Sequence, residues 1–420
     1  MTEKNTFYGW KLLVVVGLLF FCSSSFIMLT GSVVSPLMLA DPSMKLNGKL
    51  IGLSFTIFIL CQGLPAPLIG QFIDKFGQKK SFLTGGVLMV LGGLAMATIV
   101  TNAILFVVIF GVVLSIGAIM AGQFTMQSSI STWFVQKRAR AMAIAMIFGS
   151  VGSFLAPLIV QAIVNGTGGS WQAPWYFISG LGIVVIIIAA LFVYNKPSDL
   201  GQFPDGISDA STVTETVKAS KVYKNLTSIN YNDAIKTPVF WFMAIASAAT
   251  FTGYSLAASQ GAIHFTTLGF SAAIIAAAIS GMAIGIFLGR VSIVPLGDRF
   301  EPSRILGIYL VILTIGIFIA SQAASPTMPY VYYFLTGLAF GGGSALMPVM
   351  VGNYFGNDNF PRIWGTVMLL ASLVSGAAPI VSGAIFDATG SLSTAFMICA
   401  VVTLIGAIAC FLVKIPKNAA

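Results

Sequence analysis

Long apolar stretches alternate with short polar ones along almost the whole chain. A helix that crosses the hydrocarbon core of a bilayer needs about 20 consecutive, mainly apolar residues. Twelve stretches meet this requirement, and each is predicted to be a membrane-spanning helix. They lie at residues 11–36, 51–73, 82–100, 103–132, 141–164, 174–194, 238–263, 271–297, 304–322, 328–352, 364–386 and 392–413. The pattern therefore predicts an all-α membrane protein with twelve transmembrane helices.

The composition excludes a soluble protein. Of the 420 residues, 57% are hydrophobic and only 8% are charged, whereas a soluble domain has about 25% charged residues. In such a chain the net charge of +9 reflects how the loops are placed, and we expect membrane lipid around the helices but no nucleic acid as a partner. The four cysteines all lie in apolar stretches, which is typical of small buried residues rather than of a metal site.

A polar segment divides the predicted helices into two sets of six. Residues 195–236 contain about half of the acidic residues of the chain. We predict an N-terminal six-helix bundle at 1–195, a linker at 196–236 and a C-terminal six-helix bundle at 237–420.

Lysine and arginine are concentrated in alternate loops, which predicts the orientation of the protein. The opposite set of loops holds only Lys45 and Lys49. The basic set comprises Lys4, Lys11, Lys75, Lys79, Lys80, Lys137, Arg138, Arg140, the linker, Arg299, Arg304, Arg362, Lys414 and Lys417. We therefore expect a multi-pass protein of the cell inner (plasma) membrane with both termini in the cytoplasm, and a first helix that is not cleaved as a signal peptide.

The two halves repeat each other. The stretch "GQFIDKFGQKKS" (70–81) follows the second predicted helix, and "VPLGDRFEPSRI" (294–305) follows the eighth. Asp74 and Asp298 in these stretches are 224 residues apart, and "AIVNGTG" (162–168) matches "AIFDATG" (384–390) at an offset of 222. Matches in the same order at a nearly constant offset predict two pseudo-symmetric bundles that arose by duplication.

The loop at 70–81 and the twelve helices together resemble the major facilitator superfamily. The loop fits the superfamily signature Gly-x-x-x-Asp-Lys/Arg-x-Gly-x-Lys/Arg-Lys/Arg at six positions. These are Gly70, Asp74, Lys75, Gly77, Lys79 and Lys80. The second copy of the loop is degenerate, because Val294 stands where the signature begins with glycine.

Four further stretches are similar to the monocarboxylate porters and the oxalate–formate antiporters of that superfamily. They are "WFVQKRARAMAIA" (133–145), "KPSDLGQFPDG" (196–206), "DAIKTPVFWFM" (233–243) and "YFG" (354–356). Arg290 also lies eight residues before Asp298, the spacing at which these families carry an arginine that binds the substrate carboxylate. A second basic residue of the antiporters is replaced by Ala371, so the resemblance implies a monoanion rather than a dianion.

Arg290 is the leading candidate for substrate binding. It lies seven residues before Gly297, about 10 Å deep along a helix, which is far for a side chain that reaches back to the lipid headgroups. No aspartate or glutamate lies in the middle of any predicted helix, so the sequence offers no buried counter-ion, and a carboxylate substrate would supply the negative charge. A guanidinium group can bind such a carboxylate through two hydrogen bonds.

Four polar residues of other helices are weaker candidates for substrate binding in a central cavity between the helices. Gln123 and Gln127 lie one turn apart on the fourth predicted helix, and Tyr254 lies near the middle of the seventh. His264, the only histidine, lies at the outer end of the seventh helix. It either relays protons or only forms hydrogen bonds with water or lipid headgroups at the membrane boundary. The amide and hydroxyl groups either line the cavity or bridge helices.

The charged loops predict a conformational latch. By resemblance to the superfamily, Asp74 and Lys75 would hold helices together in one conformation. Asp74 is expected to pair with Arg138 or Arg140, and Asp298 with Arg362. Exposed ion pairs are worth little individually, as suits a latch that opens in every cycle.

These features predict a secondary active transporter of a small organic monoanion such as lactate, pyruvate or formate, coupled to protons or to a counter-anion. The alternative is a major facilitator carrier for a different amphipathic solute, by uptake or efflux. A non-transporting membrane sensor fits less well, because the sequence contains no output domain. We expect no enzyme activity, cofactor or metal, since the sequence has no nucleophile motif, phosphate-binding loop or metal-ligand cluster.

Overall fold

The computed structural model describes residues 7–44, 46, 48–207, 222–225 and 227–413, and all regular structure in these ranges is helical. Lys4, Lys45, Lys414 and Lys417, which entered the orientation argument, lie outside the described residues. So do residues 208–221 and 226 of the predicted linker.

The chain forms two compact units. Unit 1 consists of Met1–Phe134 and Ala145–Val213, and unit 2 of Val135–Ile144 and Thr214–Ala420. The short segment 135–144, which the sequence places in the N-terminal bundle, thus belongs with unit 2.

Apart from short 3-10 turns, the described residues of unit 1 form seven helical segments, the sixth of which begins in segment 135–144. They are α1 (Gly9–Ala40), α2 (Gly48–Gly63), α3 (Ala66–Phe76), α4 (Gln78–Thr98), α5 (Ala103–Trp133), α6 (Arg138–Gly166) and α7 (Ala173–Phe192). The chain bends by 44° between α2 and α3. Pro65 lies at this break, where a residue without a backbone N–H cannot continue the helical ladder.

Serine hydroxyls join α1 to α5. A π-helical turn at Phe21–Ser25 interrupts α1. There Ser23 Oγ donates a hydrogen bond to the Ala121 carbonyl at 3.0 Å, and Ser24 Oγ donates one to the Ala118 carbonyl at 2.9 Å. The carbonyls are free to accept because α5 breaks at Gly122, where a Cβ atom would fall on Ser24 Oγ. These serines bridge helices.

In unit 2 the described part of the chain forms one short helix and six long ones. They are α8 (Tyr231–Ala234), α9 (Pro238–Thr267), α10 (Ala272–Leu296), α11 (Pro302–Ser321), α12 (Met328–Phe355), α13 (Phe360–Thr389) and α14 (Ser393–Leu412). Four of the long helices have proline in the first turn, where its missing N–H costs no hydrogen bond.

The predicted fold class is confirmed. Among the described residues, eleven helices are long and apolar enough to cross a membrane, and the bent pair α2–α3 makes up to twelve if it counts as one span. The bent pair occupies the stretch 51–73 that the hydrophobic pattern predicts as a single helix.

Candidate substrate site

Glycines bring α10 and α12 into backbone contact. A Cβ atom at Gly285 would lie against the Phe334 carbonyl oxygen, and one at Gly289 against the Leu338 carbonyl oxygen. From the other helix, a Cβ atom at Gly341 would lie against the Ile286 carbonyl oxygen. Small residues spaced four apart allow such close crossings in membranes. This crossing fixes α10 directly before Arg290.

Arg290 is buried in unit 2. Arg290 directly follows Gly289 within α10, and only 7% of the residue is exposed. The residue is therefore enclosed by other residues of unit 2. A guanidinium group buried in this way presents a positive charge within a low-dielectric region, where its attraction for an anion is strong.

Tyr254 of α9 accompanies this cation. The phenol lies within electrostatic range of the Arg290 guanidinium. The Tyr254 ring stacks on Phe340 of α12, with ring centroids 4.0 Å apart and an interplanar angle of 14°. Phe251 packs edge-on against the same Phe340 ring at 5.6 Å. Three helices thus contribute a cation, a hydroxyl group and an apolar face to one place in unit 2.

Gln123 and Gln127 lie in unit 1, beside the break in α5. Gln123 is half-buried at the start of the helix that follows Gly122. Gln127 is 1% exposed, and its Nε2 atom lies 3.8 Å from the Met146 sulfur atom of α6. The break thus leaves Gln123 at a helix start and Gln127 packed between two helices.

His264 is not brought to Arg290 within unit 2. It lies ten residues beyond Tyr254 on α9, about 15 Å along the helix. The residue is fully buried, its Nε2 atom hydrogen-bonds the Ala320 carbonyl at 2.8 Å, and its ring stacks on Phe396 at 4.2 Å. The histidine belongs to an aromatic cluster that also contains Tyr332.

Among the described residues, Asp298 contacts segment 135–144 rather than Arg362, so the latch pair of Asp298 with Arg362 stays a prediction for another conformation. Asp298 Oδ1 accepts a hydrogen bond from the Ala139 N–H at 3.1 Å, and its Oδ2 lies 3.9 Å from Arg140 Nε. Arg362 instead lies over the ring of Tyr231, 3.9 Å from its centroid. The reason is segment 135–144, which packs in unit 2 and presents its N–H and its arginine to the carboxylate.

Arg138 of segment 135–144 is more deeply buried than its neighbour Arg140, since only 2% of the residue is exposed. Its Nη1 atom donates to Asn353 Oδ1 at 2.7 Å, and its Nη2 atom donates to Asn357 Oδ1 at 2.5 Å. Two amide oxygens therefore hold the guanidinium at the end of α12.

Burial raises the pKa of the Asp298 carboxyl above its ordinary value. The positive charge of Lys224, the N–H groups of Arg140 and Ala139, and the charge of Arg140 oppose this shift. The ionised form of Asp298 is therefore costly in this position, despite four favourable interactions.

Asp74 and Lys75 lie at the end of α3 in unit 1 and are exposed. The Lys75 ammonium group lies 5.2 Å from the centroid of the Phe76 ring, and that of Lys80 lies 5.3 Å from the same ring. The pairing of Asp74 with Arg138 or Arg140 stays a prediction.

One protein-family model covers almost the whole chain. The model described as the Major Facilitator Superfamily matches residues 16–293 and 256–420. The chain belongs to the major facilitator superfamily. This major facilitator is a multi-pass membrane transporter, not an enzyme.

Three known proteins show how far the likeness extends. The oxalate:formate antiporter of Oxalobacter formigenes is 24% identical over 402 residues, which cover 92% of this chain and 88% of that protein. Monocarboxylate transporter 13 of Bos taurus is 22% identical over 360 residues, covering 84% and 77%. Among solved structures, the fucose:proton symporter FucP of Escherichia coli is 16% identical with a TM-score of 0.69, and 95% of this chain and 98% of that chain are covered.

Phe340 is the residue of this major facilitator's candidate site that the sequence did not reveal. Phenylalanine occurs 33 times in the chain, so composition alone does not single out one ring. The available signal is its position directly before three consecutive glycines, Gly341 to Gly343, which predict a close helix crossing.

Proposed function

We propose that this major facilitator transports a small organic monoanion, such as lactate, pyruvate or formate, across the plasma membrane by alternating access. The observation that carries the proposal is that the buried Arg290 lies within electrostatic range of Tyr254, whose ring stacks on Phe340. The guanidinium would bind the carboxylate through two hydrogen bonds, and the hydroxyl would donate a further one. The aromatic face would pack against the short apolar part of the substrate.

The preference for a monoanion rests on Ala371. This neutral residue is 1% exposed on α13, at the position where the resemblance to the antiporters implies a second basic residue. A dianion such as oxalate would need a second positive charge to offset the cost of burying its second carboxylate. The names of the two relatives, an oxalate:formate antiporter and a monocarboxylate transporter, support carboxylates as the substrate class.

Uptake into proteoliposomes tests the binding role of Arg290. The wild type, Arg290→Ala and Arg290→Lys are compared with radiolabelled formate, acetate, lactate, pyruvate, oxalate and fucose. We expect Arg290→Ala to lower monocarboxylate uptake roughly 100-fold, because two charge-assisted hydrogen bonds are lost, and Arg290→Lys to retain an intermediate rate. The matched control is Arg304→Gln, which removes an exposed arginine from the first turn of α11.

Two results would contradict the proposal. Monocarboxylate uptake by Arg290→Ala at the wild-type rate would remove the binding role of Arg290. Uptake of fucose but of no carboxylate by the wild type would favour the alternative, a major facilitator carrier for a different solute.

The coupling is to protons or to a counter-anion, and the same vesicles separate the two. Proton coupling predicts uptake that a pH gradient drives without any anion inside. Anion exchange predicts uptake that requires an internal anion and does not respond to the gradient. His264→Phe keeps an aromatic ring against Phe396 but removes the titratable group, so an unchanged pH response in this variant would exclude His264 as a proton relay.

A further inference from the structure

The last part of the linker forms an extended strap on unit 2, here called the linker strap and consisting of residues 222–225 and 227–229. The Asn225 N–H donates to the Asn353 carbonyl at 2.7 Å, and the Ile229 N–H donates to the Phe355 carbonyl at 2.9 Å. The Asn225 Nδ2 atom donates to the Tyr354 carbonyl at 3.3 Å. The linker strap therefore caps three carbonyls at the end of α12. The helix itself leaves these carbonyls without partners.

Two further contacts hold the strap at the end of α12. The Tyr223 N–H donates to Glu301 Oε2 at 3.2 Å, and Tyr354 Oη donates to Glu301 Oε1 at 2.6 Å. Past the helix end, Gly356 has a φ of +81°, and a Cβ atom there would lie 2.8 Å from Ser228. The linker strap is thus packed against α12 too closely to be a freely moving connection.

Lys224 links the strap to segment 135–144. The residue is only 8% exposed, and its ammonium group donates to both the backbone carbonyl and the Oε1 atom of Gln136, each at 2.8 Å. The same ammonium group interacts electrostatically with Asp298, which accepts the Ala139 N–H. Lys224 therefore lies among the contacts that hold segment 135–144 in unit 2.

These contacts are important because of where segment 135–144 lies in the chain. Phe134 and Ala145, which flank segment 135–144, belong to unit 1, while the segment itself groups with unit 2. In an alternating-access cycle the two halves of a major facilitator rock against each other. Such a movement either bends the chain at the two ends of the segment or releases the contacts of the segment with Asp298 and Lys224.

We propose that Lys224 is a positioning residue which, through the linker strap, holds segment 135–144 in unit 2 and thereby sets the turnover rate without contacting the substrate. The inference rests on the alternating-access transport proposed above. A device of this kind changes how often the segment is released, but not the affinity of the carboxylate site. It therefore predicts an altered kcat with an unaltered KM.

Hydrogen exchange of the full-length protein in detergent tests the holding role directly, without any substrate. We compare Lys224→Met, which keeps the length of the side chain but cannot donate, with the wild type. Peptides that cover residues 135–144, including the Ala139 N–H, are expected to exchange roughly tenfold faster in the variant. In proteoliposomes the same variant is expected to turn over several-fold faster at an unchanged KM.

Matched variants keep the test specific. Lys236→Met removes an exposed lysine whose ion pair, within the described part of the chain, is with Asp233 three positions earlier, so it should leave exchange and transport unchanged. Lys224→Arg should restore slow exchange, because it keeps both the charge and the donors. Gln136→Leu removes one acceptor, and its effect should not add to that of Lys224→Met in a double-mutant cycle.

Unchanged exchange in segment 135–144 of Lys224→Met would overturn the proposal, as would additive effects in the cycle. Faster exchange with a wild-type turnover rate would show that Lys224 does not set that rate. A changed KM would show that Lys224 affects substrate binding, which contradicts a purely positioning role. If the wild type transports no carboxylate, the proposed substrate is wrong, but the exchange experiment still decides whether Lys224 holds the segment.

Discussion

Arg138 donates a hydrogen bond from Nη1 to the Asn353 side chain at 2.7 Å, although the two residues are 215 positions apart in the chain. The same Asn353 accepts the Asn225 N–H through its backbone carbonyl. One asparagine at the end of α12 therefore contacts segment 135–144 with its side chain and the linker strap with its main chain.

Asn353→Ala separates these two contacts. The backbone bond to Asn225 remains, while the buried Arg138 guanidinium loses one acceptor. Because Arg138 is 2% exposed, we expect a loss of about 1.5–3 kcal/mol in stability, the usual worth of a hydrogen bond to a charged group. Thermal unfolding in detergent measures it. The control is Asn165→Ala, at an exposed position near the end of α6, and an equal shift in both variants would contradict the buried role of Asn353.

Gly289→Ala should disturb the support of Arg290. The new methyl group would meet the Leu338 carbonyl oxygen of α12, and an overpacked contact of this kind costs about 1–3 kcal/mol. Gly281→Ala is a matched control on the same helix, since a Cβ atom there meets nothing within 4 Å. We expect a lower unfolding temperature and weaker substrate binding only in Gly289→Ala. Equal behaviour of the two variants would show that α10 and α12 do not cross closely at Gly289.

Tyr254→Phe removes a hydroxyl group and keeps the stack on Phe340. If the hydroxyl takes part in binding the carboxylate, the KM for a monocarboxylate should rise roughly tenfold, as expected for one hydrogen bond to a charged group, with little change in kcat. Tyr330→Phe, at a position that is 41% exposed on α12, serves as the control in the same uptake assay. A normal KM for Tyr254→Phe would exclude a direct contact of the hydroxyl with the substrate.

Asp298→Asn should stabilise the protein at neutral pH. Burial raises the pKa of Asp298, so the unfolded chain ionises at the ordinary aspartate pKa of about 3.9 while the folded protein resists ionisation. Below that pH both states are protonated, and the carboxyl has no net effect. As the pH rises through the interval up to the raised pKa, the wild type loses stability that the asparagine variant keeps. Asparagine Oδ1 can still accept the Ala139 N–H.

The measurement is the difference in unfolding temperature between Asp298→Asn and the wild type, followed from pH 4 to pH 7.5. We expect a positive difference that grows with pH. Asp233→Asn, which changes an aspartate whose side chain is 63% exposed, should show no such trend. A difference that is independent of pH would mean that the charge of Asp298 is not what costs stability.

The sequence by itself was enough to predict the all-helical membrane fold and the position of Arg290 within it. The thickness of the hydrocarbon core demands apolar stretches of a minimum length, so counting them predicts the spans with no tertiary information. The repeat of the loop at 70–81 marks where α10 ends near Gly297, and hence how far Arg290 lies from the end of the helix. The hydrophobic pattern predicts even the bent pair α2–α3 as one span, because a bend at Pro65 does not change the hydropathy of the stretch.

Contacts between distant parts of the chain were decided only by the tertiary structure. Asp298 meets Arg140 and the Ala139 N–H instead of Arg362 because segment 135–144 packs in unit 2, and no local pattern reveals with which unit a loop packs. Phe340 becomes part of the candidate site because the glycines of α10 and α12 allow those helices to cross at backbone distance. Hydrophobicity predicts that a residue lies in the membrane, but which neighbour it meets there depends on helix packing, to which residues hundreds of positions apart contribute.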